Sequence, residues 1–227
     1  MLTVIENLLD ADEVRLFRER LAAAAWIDGA QTAGTRSIAV KQNCQLDRGD
    51  PLAVELGNLI LGKLGRHPLF ISASLAEKIW PPVFNLYQDG GHYGTHSDAA
   101  LMRLPEANLT IRSDLSATLF LSDPEEYDGG ELVIEEQFGA QAVKLAAGDM
   151  VLYPSSSLHQ VTPVTRGQRI CAITWMQSAV ADTSARALLF DLDQSIQALS
   201  VGRASDDADI DRLIHVYHNL TRRWAQV

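Results

Sequence analysis

From about Leu69 to Gln177 the chain repeats one theme, a short apolar run cut off by a turn. The runs "LFISASL", "PVFNLYQ", "SATLFLS", "GELVIE", "AVKLAA", "DMVLYP" and "RICAITWMQ" are rich in β-branched or aromatic residues. "DGG", "DPEEYDGG", "AAGD" and "TRGQ" punctuate them. Short strands separated by turns, with no long helices alternating between them, predict an antiparallel sandwich or barrel. Ala99 to Asp114 reads as the longest irregular connection, and loops of that length are often functional.

Helical patterns flank this core. Asp10 to Trp26 reads as an amphipathic helix, with Asp10 and Glu13 in capping-box spacing and Val14, Phe17, Leu21 and Ala25 following at helical intervals. Pro51 to Leu64 reads as a second helix, with Leu56, Leu59, Ile60 and Leu64 on one face. After Ser178, Ser184 to Leu199 places Leu188, Leu189, Leu192, Ile196 and Leu199 on a stripe. A last helix capped by Ser205 would carry Ile210, Leu213, Ile214, Tyr217 and Trp224. Its early aspartates and late Arg222 and Arg223 complement the helix dipole. The expected division is an N-terminal α/β flank over 1–77, a β core over 78–178 and a helical extension over 179–227.

Charge narrows the partners. Lys and Arg number 19 against 29 acids, a formal charge of −10 and a pI near 5.0. Such a surface repels phosphates, so nucleic acid and anionic membranes are not expected partners. Cys44 and Cys171 form no CxxC pair, and Cys171 in "RICAITW" reads as a buried structural thiol. The N-terminus lacks a signal-peptide pattern, and no stretch reaches the ~20 apolar residues of a membrane helix. A cytoplasmic protein is the expectation.

Chemistry concentrates in "YQDGGHYGTHSDAA". Two residues apart on an extended chain, His96 and Asp98 point to the same side. Alone the pair is weak, because chance supplies about 0.5 such triplets in this composition. His159 closes "GDMVLYPSSSLHQV", and Arg169 opens the strand "RICAITW". A long strand pair can bring His159 beside His96 and Asp98, with Arg169 deeper in the same barrel. Two imidazoles and one carboxylate leave coordination positions open, the arrangement that suits non-haem Fe(II) oxygenases. A guanidinium would anchor the far carboxylate of a 2-oxo acid. Of the other histidines, His67 reads as structural, His92 as an outer-shell residue at best, and His215 and His218 as helix-surface residues.

The order His96, Asp98, His159, Arg169 resembles the Fe(II)- and 2-oxoglutarate-dependent dioxygenases of the prolyl-4-hydroxylase-like branch. "NLYQDGGHYGTHSD", "YDGGELVI" and "GDMVLYPSSSLHQVTPVTRGQRICAITW" are similar to that branch's segments. With "RSDLSATLFLS" and the C-terminal helices, the chain resembles in particular the bacterial PKHD-type hydroxylases, some of which accompany iron-uptake genes. The resemblance implies a mainly β fold, a double-stranded β-helix (jelly roll) with helices packed on it. It implies Fe(2+) on His96, Asp98 and His159, 2-oxoglutarate on Arg169, O2 as oxidant and L-ascorbate (vitamin C) as reductant. Tyr87 resembles a pocket tyrosine near the cosubstrate, with a core tyrosine as the alternative. The animal enzymes' second carboxylate-holding tyrosine is replaced by Phe120, so Thr118 or another hydroxyl would have to substitute. Tyr93 and Trp175 either line the pocket or pack in the core.

The implied reaction couples oxidative decarboxylation of 2-oxoglutarate, to succinate and CO2, with hydroxylation of a substrate the sequence does not identify. A small molecule and a protein side chain both fit. A non-catalytic jelly-roll binding protein would not need the ligand set. A zinc hydrolase on the same ligands would want a general base, for which Glu131 is the nearby candidate, and a turn role suits Glu131 better. The apolar stripes of the last two helices predict a homo-oligomer.

Overall fold

The computed structural model describes residues 1–32, 40–104, 108–136 and 139–226. In chain order the strands are β1 (Thr3–Ile5), β2 (Trp26–Asp28), β3 (Lys41–Gln42), β4 (Cys44–Leu46), β5 (Ala76–Ile79), β6 (Val83–Tyr87), β7 (His92–His96) and β8 (Leu101–Leu104). They continue as β9 (Leu109–Arg112), β10 (Leu115–Phe120), β11 (Leu132–Glu136), β12 (Gly139–Val143), β13 (Met150–Pro154), β14 (His159–Val161) and β15 (Arg169–Ser178). The helices are α1 (Ala11–Ala22), α2 (Pro51–Leu64), α3 (Pro68–Ser74), α4 (Thr183–Ser200) and α5 (Ala208–Trp224).

Among the described residues an eight-stranded sheet runs β1-β13-β10-β15-β6-β4-β2, with β5 also on β15, and a five-stranded sheet runs β12-β11-β14-β7-β3. The pairings are antiparallel, as the short runs and turns predict. The fold is a jelly roll with flanking helices and a helical C-terminal region. From the flank over 1–77, β1, β2 and β4 extend the large sheet. No helix among the described residues is long and apolar enough to cross a membrane.

The period of two sorts the large sheet's side chains between two cores. Leu115, Ala117 and Leu119 of β10 face α1, α2 and α3 in a cluster with Phe17, Leu56, Ile60 and Phe84. The alternate face carries Phe120, Tyr87 and Cys171 against Leu132, Val161 and Tyr153 of the gap between the sheets. Covered on both sides, β10 is buried throughout. That two-sided burial explains why "SATLFLS" carries small hydroxyls and no charge at its alternate positions.

Several expectations change. The first helix stops at Ala22, not Trp26, because Trp26 pairs with Leu46 in β2 and packs on the main core. The alanine run's helix propensity yields to that pairing. "LFISASL" is not a strand but α3, started by Pro68, capped by His67 Nδ1 accepting from Phe70 N–H, and ended by Leu75 at φ 45. A short apolar run does not distinguish the two elements. Of the second helix's stripe, Leu59 faces solvent while Leu56, Ile60 and Leu64 are buried. "AVKLAA" is strand only to Val143, with β12 starting earlier at Gly139.

The connection Ala99 to Asp114 is largely the hairpin β8–β9, in which Met102 opposes Ile111; residues 105–107 lie outside the described set. Met102, Leu104 and Ile111 cover Trp80, which gives this segment its order. At the C-terminus, α4 is capped by Asp182 and α5 by Asp207, not Ser205, because each aspartate accepts a first-turn N–H. The inward face of α5 is Ile210, Tyr217, Leu220 and Trp224, the last three lying with Leu75 on Val180, Ala185 and Leu189. Leu188, Leu199 and Ile214 point outward.

Candidate metal centre

Antiparallel register assembles the site. On the small sheet, β14 places His159 directly opposite His96 of β7. Asp98 lies just beyond the end of β7, its Oδ2 3.8 Å from His159 Nε2. One donor atom from each of the three lies within 4.8 Å of the others. His96 Nδ1 contacts the Gly94 carbonyl at 2.8 Å, and His159 Nδ1 contacts that of Ser157 at 3.0 Å. A carbonyl only accepts, so each Nδ1 carries the proton and each Nε2 keeps its lone pair for an ion. Ser116 Oγ donates to Asp98 Oδ2 at 2.5 Å and meets Ser155 Oγ at 2.7 Å, which fixes the carboxylate. Tyr93 stacks on His96 at 3.6 Å between centroids. Burial, then the neighbouring His159, holds His96 below the usual imidazole range. A divalent ion fits this set of two neutral nitrogens and one carboxylate oxygen.

The large sheet supplies the other wall. Tyr87 of β6 is the register partner of Arg169, and Arg169, Cys171, Ile173 and Trp175 alternate along β15 into one cavity. Arg169 is 1% exposed, with its guanidinium carbon 5.2 Å from the Tyr87 ring and 5.2 Å from that of Phe120. Nη1 donates to Cys171 Sγ at 3.0 Å, while Nε is buried with no hydrogen-bond partner. Among the described residues no carboxylate pairs with it. An isolated buried guanidinium costs several kcal/mol, so this cation suits an anion delivered by a ligand. The orphaned Nε is the observation that fits a dicarboxylic cosubstrate here.

The cavity unites His96, Asp98, His159, Arg169, Tyr87, Tyr93, Thr118 and Trp175. Phe120 stacks on the guanidinium and has no hydroxyl to offer a carboxylate. Cys171 is buried as expected but also touches Arg169, and burial raises its thiol pKa. His92 contacts its own loop at Gly90, His67 caps α3, and His215 and His218 lie exposed on α5. Glu131, just before β11, bonds Thr162, just past β14, through its backbone N–H and its carboxylate.

Ser116, Tyr153 and Lys41 were not anticipated. Tyr153 is buried edge-on to His159 at 5.2 Å between centroids, its phenol pushed up by burial and then by Asp98. A hydroxyl at alternate positions of an apolar run, as Ser116 and Thr118 are in "LSATLF", is the signal that was available. Lys41 gives no such signal.

The turn before β11 holds this wall in place. Gly129 and Gly130 have φ of 72° and 67°. A Cβ on Gly129 would collide with the Pro163 carbonyl oxygen, and one on Gly130 would press on Val164, Tyr127 and Arg169 Cδ. Left-handed backbone costs ~1–2 kcal/mol for alanine and overpacking ~1–3 more. Gly129→Ala should therefore lose about 3 kcal/mol, read as a fall of roughly 6–12 °C in thermal unfolding. An unchanged midpoint would show that the turn can re-form elsewhere.

Comparison with known proteins gives concordant results. The family described as the 2OG-Fe(II) oxygenase superfamily matches residues 82–177, and the PKHD-type hydroxylase C-terminal domain matches 183–226. A PKHD-type hydroxylase of Teredinibacter turnerae is 61% identical, covering 100% of both chains. One of Acidovorax ebreus is 59% identical with the same coverage. Among solved structures, a Pseudomonas putida prolyl-4-hydroxylase aligns with TM-score 0.53 at 22% identity, covering 78% of this chain and 92% of that one. A viral collagen prolyl hydroxylase aligns with TM-score 0.53 at 17% identity, covering 78% and 96%. At those identities the solved structures speak for the fold alone.

Proposed function

The chain belongs to the PKHD-type hydroxylases of the 2OG-Fe(II) oxygenase superfamily, and on that premise we propose that His96, Asp98 and His159 hold its Fe(II) and Arg169 its 2-oxoglutarate. The family's reactants are Fe(II), 2-oxoglutarate and O2. Iron on these three residues supplies the oxidising chemistry that joins decarboxylation of 2-oxoglutarate to hydroxylation of a C–H bond. The chain's own groups do the positioning. The Gly94 and Ser157 carbonyls orient the imidazoles, and Ser116 orients the carboxylate. Arg169 grips the distal carboxylate, and Tyr87 and Phe120 keep its guanidinium flat and dry. Leu132, Val161 and Ile173 wall the cavity against water.

The observation that carries this reading is a buried guanidinium with no acid partner among the described residues, in the same cavity as a three-donor cluster. Purified protein should make succinate from 2-oxoglutarate only when Fe(II) and O2 are present. Zn(II)-supported hydrolysis independent of 2-oxoglutarate would instead favour a hydrolase.

The substrate we assign is a small molecule or a protein side chain that gains one oxygen atom, in the cytoplasm, with ascorbate keeping the iron reduced. A role beside iron uptake and the absence of a nucleic-acid or membrane partner belong to the same reading. So does the division at 77/78 and 178/179. Self-association through α4 and α5 is supported by their outward Leu188, Leu199 and Ile214. Leu188→Glu combined with Ile214→Glu should lower the mass seen by light scattering. A wild-type protein already monomeric would refute self-association.

A further inference from the structure

Tyr127, at the head of "YDGGEL", is fully buried, yet it is not among the described residues that line the metal-centre cavity. It packs in one cluster with Tyr87, Phe120 and Cys171, the three side chains that surround the Arg169 guanidinium. A Cβ placed on Gly130 would lie 2.9 Å from Tyr127 Cε2 and 3.0 Å from Arg169 Cδ, so ring and stem meet across that glycine. Tyr127 Oη and Arg169 Nε, the nitrogen bonded to that Cδ, are both buried without a hydrogen-bond partner. Both residues share one backbone frame. Asp128 N–H donates to the Arg166 carbonyl at 3.0 Å, and Thr165 N–H to the Asp128 carbonyl at 2.9 Å. Lys144 Nζ donates to the Tyr127 carbonyl at 2.8 Å and lies 4.1 Å from the centre of its ring. The tyrosine is thereby fixed, while the guanidinium has one side-chain hydrogen bond, from Nη1 to a thiol, which is a weak acceptor.

We propose that Tyr127 is a positioning residue for the cosubstrate: its hydroxyl accepts the Arg169 Nε–H when a carboxylate engages the outer nitrogens, and so sets the direction of the fork. The inference rests on the oxygenase reading, which gives Arg169 to 2-oxoglutarate. A guanidinium is planar, so a hydrogen bond at Nε fixes where both Nη groups face. In the unliganded arrangement Nη1 is taken by Cys171 and Nε misses the hydroxyl. A carboxylate is a stronger acceptor than a thiol, so its arrival frees the plane to turn. One bond between Nε and Oη then satisfies two buried atoms that are otherwise left desolvated and unpaired. The chemical type of the acceptor matters. An acid at Nε would neutralise the cation and compete with the ligand for it, whereas a phenol leaves the charge available. Burial pushes the Tyr127 phenol up to about 12, so it stays neutral. The Arg169 charge, next in strength, works against that rise, as a cation beside the hydroxyl must.

The test reads binding rather than turnover, by calorimetry on the full chain loaded with Fe(II) under argon. Two probes are compared, 2-oxoglutarate and oxalate, which shares the metal-facing end of the cosubstrate and lacks the distal carboxylate. Tyr127→Phe should weaken 2-oxoglutarate about 5-fold or more, the scale of one hydrogen bond to a charged group, and leave oxalate within about twofold. In an Arg169→Lys background, which has no Nε, adding Tyr127→Phe should cost 2-oxoglutarate nothing further. Without ligand, Tyr127→Phe should unfold at or above the wild-type temperature, since it removes a buried hydroxyl that has no partner. Unchanged 2-oxoglutarate affinity in Tyr127→Phe overturns the proposal. So does an equal loss for both probes, the mark of a distorted cavity, or an undiminished loss in the Arg169→Lys background, the mark of a hydroxyl that acts without Nε. A variant unfolding well below the wild type would make the hydroxyl structural and overturn it too. A wild type that bound oxalate but no 2-oxoglutarate would bring down the oxygenase reading itself, whereas tight wild-type binding with an indifferent Tyr127→Phe sinks the positioning role alone.

Discussion

Asp98→Ala will fold, yet bind Fe(II) more than about 100-fold more weakly than the wild type and form no succinate. His96→Ala and His159→Ala will behave alike. The magnitude follows from the donor set. Removing even an outer partner of a ligand typically costs ~10–100-fold in metal affinity, and removing a ligand leaves two donors to compete with water for a labile ion. Asp98 is the most informative of the three because it brings the only carboxylate of the cluster. Without it the two neutral imidazoles, with ring centroids 4.3 Å apart, face a divalent charge with nothing to balance it. Ser116 and Ser155 would still satisfy one another, so the backbone there has no reason to move. Calorimetric titration of Fe(II) under argon, with thermal unfolding as the fold control, reads the outcome. Full iron occupancy in any of the three variants would remove that residue from the centre.

What could be read in the chain beforehand divides along a physical line. His96 and Asp98 are legible because their spacing is local, and a period of two makes it geometry. His159 and Arg169 are legible only as members of an ordered pattern. Nothing local says that His159 will oppose His96 or that Tyr87 will oppose Arg169; those are properties of register across distant strands. The misreadings are also local. "LFISASL" has strand composition, but Pro68 and His67 start a helix and the main core accepts Phe70 and Ala73 from it. Ser205 and Asp207 are both good caps, and the choice fell to whichever side chain reached the free N–H groups of Asp209 and Ile210. Which face of α4 turns inward depends on where Val180 and Leu75 stand, so Leu188 could not be told from Leu189 by the stripe alone. Lys41 was invisible for the same reason. A charge says nothing of which cavity it borders until the chain has closed around one.

Arg169→Lys should weaken 2-oxoglutarate by about 10-fold or more while Fe(II) binding survives. Lysine keeps the charge but offers a compact, strongly hydrated head, where the cavity is built for a plane. The guanidinium lies 5.2 Å from each of the Tyr87 and Phe120 rings and bonds Cys171 through one nitrogen. Its stem runs past Gly130, where space is so tight that an added Cβ would lie 3.0 Å from Cδ. A lysine there reaches less far, gives up the fork and keeps the full desolvation penalty. Arg169→Met separates the cation's service to the ligand from its service to the fold. An isolated buried charge is a burden in the absence of its anion, and a hydrophobic replacement of similar volume is often neutral or stabilising by ~1–4 kcal/mol. Arg169→Met should therefore unfold at or above the wild-type temperature without 2-oxoglutarate, and show none of the wild type's rise when 2-oxoglutarate is added. A methionine variant that unfolded well below the wild type would mark Arg169 as a structural cation. A lysine variant with unchanged 2-oxoglutarate affinity would hand the carboxylate to another group, and Lys41, already at the rim of the same cavity, would be the first to test.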